Sequence, residues 1–141
     1  MNKFRTAAYI RLSREDGDKE ESDSVGNQRK LLTEYIRDRE DMSLFEVYID
    51  DGCTGTNFNR PAFRKMIRDI EDGKVNCVAV KDLSRFGRDY IDTGRYLERY
   101  FPKKGVRFLS VTEEIDSMKQ AYDLLFRPDG SLYLFRNISG I

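Results

Sequence analysis

The stretch Arg5-Thr6-Ala7-Ala8-Tyr9-Ile10-Arg11-Leu12, running straight into Ser13, decides how the rest of the chain is read. Ala7 to Ile10 form a short unbroken apolar run, the mark of a strand buried on both faces. Arg11 and Ser13 stand two apart at its end, so an extended backbone points both to one face. A hydroxyl and a lasting cation therefore meet where the strand gives way to a polar, acidic segment, Arg14 to Ser24, which reads as a mobile loop.

The pattern then repeats. Ser24 is placed to cap a helix running to about Asp41, with Val25, Leu32, Tyr35 and Ile36 as its apolar stripe. Phe45, Val47 and Ile49 alternate with Glu46, Tyr48 and Asp50 as in a strand, which ends in the turn-rich Asp50-Asp51-Gly52-Cys53-Thr54-Gly55. Pro61 opens a second helix with Phe63, Met66, Ile67 and Ile70 on one side, and Gly73 stands at the C-cap position. Val75 to Val80 reads as a third strand and Leu83 to Asp89 as loop. Tyr90 to Lys104 reads as a helix that Pro102 would cut short. Val106 to Val111 reads as a fourth strand. From Lys119 the pattern weakens. Gln120 to Phe126 suggests one or two helical turns, Pro128 to Ser131 a turn, and Leu132 to Phe135 a strand.

Strands alternating with helices predict an α/β fold of three layers: a mainly parallel sheet of four to five strands with helices on both faces. In such sheets the working site lies beyond the carboxyl ends of the strands. Ser13, Asp51 and Ser84 to Arg88 all follow strands at that end, so segments far apart in sequence converge there.

The 141 residues suffice for one core, and 25 basic against 25 acidic residues leave no net charge. That argues against a strongly basic nucleic-acid module but leaves room for a local basic site. Neither a signal peptide nor a membrane-length apolar segment is evident. Cys53 and Cys77 are widely separated and fit a reduced, cytoplasmic protein without a thiolate metal site.

The sequence contains no histidine. A hydroxyl nucleophile here cannot use an imidazole base. Arg11, Arg60, Arg85 and Arg88 instead suit phosphate, which guanidinium grips with a two-pronged fork. Phosphoryl transfer depends largely on positioning and charge neutralisation, so clustered arginines offer an alternative to a metal. The group that takes the Ser13 proton stays open between Asp50, Asp51, an arginine and water.

In these residues the chain resembles the serine recombinase family, and most closely the large serine recombinases of mobile elements. The likeness begins at Tyr9-Ile10-Arg11-Leu12-Ser13 and passes through Gln28, Asp51 to Gly55 and Arg60-Pro61. It closes at Leu83-Ser84-Arg85-Phe86-Gly87-Arg88-Asp89, covering residues 4 to 117. The resemblance implies a site-specific recombinase needing no cofactor. Ser13 would form a 5′-phosphoserine bond to double-stranded DNA. Arg11, Arg85 and Arg88 would bind the scissile phosphate, and Arg60, Gln28 and Asp51 would complete the site. A dimer on each site and a tetramer in synapsis are implied for the full-length protein. Residues 1–118 would be the catalytic domain. Residues 119–141 read as an irregular segment, with the family's long helix and DNA-binding domains missing beyond it, and such a piece is not expected to recombine DNA alone.

Blander readings stand beside these. Asp51 serves equally well as a turn former, Ser84 as a helix cap, and Gln28 as a surface residue. Two rival functions remain: a non-catalytic assembly module of the same fold, and a metal-dependent phosphatase or nuclease, which the sparse carboxylates disfavour.

Overall fold

The computed structural model of the protein describes residues 3–12, 24–52, 58–119 and 122–136. Ser13, most of the acidic segment after it, and Cys53 to Asn57 lie outside the described residues. The central sheet has five strands in the order β2-β1-β3-β4-β5. These are β1 (Phe4–Leu12), β2 (Met42–Asp51), β3 (Cys77–Val80), β4 (Arg107–Ser110) and β5 (Ile115–Asp116). The first four run parallel, and the short β5 returns antiparallel beside β4.

The chain moves from β1 outward to β2, then crosses back to β3 on the other side of β1. The direction of winding thus reverses between β1 and β3, and a crevice opens at such a reversal. The segments leaving β1 and β3 carry Ser13 and Leu83 to Arg88 respectively.

Side chains of β1 alternate between two cores. Ala8 and Ile10 join Leu32 and Ile36 of α1 (Val25–Arg37) on one face. Ala7 and Tyr9 join Phe63, Met66 and Ile70 of α2 (Pro61–Glu71) on the other. Ser24 caps α1 as expected, its Oγ accepting from the Asn27 amide. Helices on both faces therefore follow from one strand's two-residue period.

Four expectations need correction. Leu83 to Asp89 is not all loop, because α3 (Leu83–Phe86) occupies its first half. Pro102 does not end the helix after it: α4 (Tyr90–Gly94), a π-helical stretch (Arg95–Tyr100) and α5 (Phe101–Lys104) follow one another without a break. The widened π turn bonds the Phe101 amide to the Tyr96 carbonyl, five residues back, which makes room for the proline ring. Gly105, at φ 69, then ends α5. Of the stretch expected to be helical, Gln120 and Ala121 lie outside the described residues and Tyr122–Phe126 is strand. Tyr122–Phe126 (β6) pairs antiparallel with Leu132–Arg136 (β7), so the supposedly irregular segment contains a hairpin about the expected turn. Leu124 locks that hairpin to the core at 1% exposure, and its amide donates to Glu98 Oε2. Sequence periodicity missed the pairing because a two-stranded hairpin draws its stability from what it packs against.

Candidate active site

A helix of four residues cannot sustain itself, so α3 is held from outside at both ends. At its N-terminus Asp82 Oδ1 accepts from the Arg85 amide at 3.1 Å, and Glu113 Oε1 accepts from the Leu83 amide at 2.8 Å. At its C-terminus two guanidiniums donate to its carbonyls. Arg11 reaches Ser84 O at 2.5 Å and Arg85 O at 3.3 Å, and Arg60 reaches Phe86 O at 2.6 Å. Acid at the N-terminal end and base at the C-terminal end both complement the helix dipole.

Arg85 answers Arg11 in kind, donating from Nη1 to the Arg11 carbonyl at 3.2 Å. Gln28, fully buried on α1, donates to that same carbonyl at 3.2 Å. The end of β1 is thereby fixed by α1 from one face and by α3 from the other.

Behind this clasp lies a second network. Arg60 Nη1 donates to Tyr9 Oη at 3.1 Å, and Tyr9 Oη donates to Asp50 Oδ2 at 2.8 Å. Asp50 also accepts from the Ala62 and Phe63 amides, each at 2.9 Å. It thus caps α2 from the neighbouring strand, a service that Arg60, at the N-cap position itself, does not perform. The Phe58 ring lies 4.4 Å from the Arg60 guanidinium, a cation–π contact in a dry setting. Burial, more than any neighbour, pushes the Tyr9 hydroxyl above its ordinary range, so it serves as a neutral bridge.

Arg11 is fully buried. Burial, then the charges of Arg60, Arg85 and Arg88, lower its pKa from the ordinary arginine range to about 9. It remains a cation at neutral pH, in a cluster of like charges that an anion would relieve. Arg88, half-buried, lines a cleft of about 440 Å³ with Ser84, facing the hairpin turn at Gly130 and Ser131. Among the described residues no three Cys, Asp or Glu side chains gather as a metal ion would require. Burial pushes the Cys77 thiol up to about 12, so it is an inert core group.

Of the residues expected from sequence, Arg11, Gln28, Arg60 and Arg85 come together, with Arg88 close enough to act on Arg11 electrostatically. Ser13 follows the end of β1 and lies outside the described residues. Asp51 is exposed, and the buried carboxylate of the pair is Asp50. Strand parity separates the two: Tyr48 and Asp50 share the face of β2 that turns toward α2. Ser84 does act as a local cap partner, its Oγ donating to Asp82 Oδ1 at 2.6 Å. Sequence reasoning gave no role to Tyr9, Phe58 or Glu113. Only Tyr9, inside the motif, carried a signal.

Residues 6–133 match the family model described as Resolvase, N terminal domain. The chain belongs to the resolvase family. Its fold is that of the serine recombinase catalytic domains, enzymes of site-specific recombination that act on DNA. The N-terminal catalytic domain of TP901-1 integrase is 30% identical, with a TM-score of 0.72 over 81% of this chain and 82% of that one. A resolvase family site-specific recombinase from Streptococcus pneumoniae is 29% identical, with a TM-score of 0.67 over 84% and 79%. The C-terminal catalytic domain of ISC1926 TnpA, an IS607-like serine recombinase, is 25% identical, with a TM-score of 0.63 over 77% and 70%. Within the described residues no helix of this family member is long and apolar enough to cross a membrane.

Proposed function

We propose that this resolvase-family domain cuts and rejoins DNA through Ser13. The Ser13 oxygen attacks a backbone phosphorus, the bond to the 3′ oxygen breaks, and a 5′-phosphoserine link forms. The serine proton leaves, and the departing 3′ oxygen gains one. Reversal by a new 3′ hydroxyl reseals the strand, so the ester conserves the bond and no energy source is consumed. The observation that carries this reading is the guanidinium cluster built around α3, at the strand end from which Ser13 follows.

Roles divide by burial. Arg85 and Arg88 hold the scissile phosphate. Arg11 and Arg60 fix the α3 carbonyls and add positive potential from behind, and Gln28 fixes the Arg11 backbone. This is transition-state charge stabilisation by prearranged donors. Asp51 is assigned no chemical step. Double-stranded DNA is the substrate, bound by a dimer at each site and a tetramer in synapsis, in the cytoplasm. A nicked duplex that loses its 3′ product traps the covalent link. Wild-type recombinase should accumulate it and Ser13→Ala should not, and a link that survives in Ser13→Ala overturns the assignment.

A further inference from the structure

Glu113 stands on the turn between β4 and β5, 30 positions beyond Leu83, and belongs to none of the motif segments. That turn is unusual in its backbone. Glu114 has φ 56, the one positive value at a non-glycine residue among those described. An L-residue resists this region, and where such strain persists it is over-determined by its surroundings. Those surroundings are clear. The Val111 amide donates to Val80 O at 3.0 Å, and the Thr112 amide donates to Lys81 O at 2.9 Å. The Thr112 hydroxyl donates to Lys81 O at 2.9 Å as well. The turn is therefore stitched to the segment that delivers α3. From this anchored turn the Glu113 side chain reaches α3. There one carboxylate oxygen accepts from both the Leu83 amide and the Ser110 hydroxyl, the latter buried at 1% exposure.

We propose that Glu113 is a positioning residue for phosphate transfer. It clamps the first amide of α3 and so sets where Arg85 and Arg88 present their guanidiniums. This rests on the recombinase reading above. The argument is one of leverage. A four-residue helix has no rigidity of its own. Arg11 and Arg60 fix only its carbonyl end, so without Glu113 its leading amide keeps only Asp82 nearby, which bonds the third amide and not the first. A displacement of about 1 Å at a phosphate-holding group can cost about a hundredfold in rate.

The test uses the full recombinase carrying Glu113→Ala or Glu113→Gln, with two readouts. On the trapped nicked duplex, E113A should form the Ser13 link about tenfold or more slowly while DNA affinity stays within about twofold. E113Q keeps an acceptor oxygen and should lie within about threefold of wild type. In amide hydrogen exchange, Leu83 should exchange about tenfold faster in E113A, with the β1 and β3 amides unchanged. A wild-type linkage rate in E113A, an E113Q variant as slow as E113A, or unaltered Leu83 exchange would each overturn the clamp. A wild-type protein that forms no Ser13 link would instead overturn the recombinase reading, and exchange at Leu83 would tell the two failures apart.

Discussion

Arg11 and Arg85 each donate to the other's main-chain carbonyl across 74 residues of sequence, at 3.2 Å in one direction and 3.3 Å in the other. The two cations repel, yet each backbone holds its partner's side chain in place. This arrangement needs the planar fork of guanidinium, because an ammonium group cannot bond a carbonyl and still present donors to a ligand in a fixed plane. Arg85→Lys should therefore leave the sheet folded and lower the rate of DNA linkage by about a hundred- to a thousandfold. Linkage kinetics and circular dichroism on the same sample would check it.

The two adjacent carboxylates at the end of β2 should behave differently. Asp50→Asn keeps the shape but weakens three hydrogen bonds, two of them to the amides that open α2. A loss of about 1–3 kcal/mol is expected in denaturant unfolding. Asp51→Asn changes an exposed group and should stay within about 0.5 kcal/mol.

Tyr9→Phe removes the hydroxyl that links Asp50 to Arg60 and leaves both facing a dry gap. Stability should fall by about 1–3 kcal/mol. The linkage rate should fall too, since Arg60 then loses the Tyr9 hydroxyl that ties it to Asp50.

Gly87 is required for space. A β-carbon there would come within 2.5 Å of both the Phe58 ring and Thr93 Oγ1. Gly87→Ala should cost about 1–3 kcal/mol by overpacking. It should also slow linkage, because the ring it displaces is the one lying against Arg60.

Anions should stabilise the protein, and the pH dependence of that effect has a definite sign. The Arg11 pKa is depressed in the folded state, from the ordinary arginine range to about 9. The anion-free protein therefore gains stability as pH rises from about 9 toward the ordinary arginine pKa, where the unfolded chain still binds the proton and the folded one releases it. Phosphate binds the protonated cluster, so the increment it adds should be constant near neutral pH and fade above about 9. At a hundred times its dissociation constant phosphate should contribute about 2.7 kcal/mol. Calorimetry with and without phosphate from pH 7 to 10 would show the two trends converge.

Much of this was legible in the sequence, and the boundary has physical causes. Ala7 to Ile10 identified a doubly buried strand because no polar residue interrupts it, and Ser24 and Pro61 marked helix starts through local chemistry that needs no tertiary partner. The arginines of the site were legible because charges that follow strand ends in a parallel sheet must share one edge. The α3 helix was not, since four residues carry no periodicity and the bonds that make it come from Arg11, Arg60 and Glu113. Asp50 and Asp51 stood side by side as candidates because both suit a turn, and only the strand's face separates the buried one from the exposed one. Glu113 gave no signal at all, since it meets the Leu83 amide, 30 positions away, only through the fold.

The short helix that presents Arg85 is assembled by residues 11, 60, 82 and 113, which lie on four separate stretches of the chain. Three of those four lie 26 or more positions from the helix group they bond, so α3 exists only where the rest of the fold brings them together. The grip on phosphate is thus a property of the assembled tertiary structure and of no single segment of the polypeptide. A polypeptide in which those stretches have come apart would have no arginine clasp to offer a DNA strand.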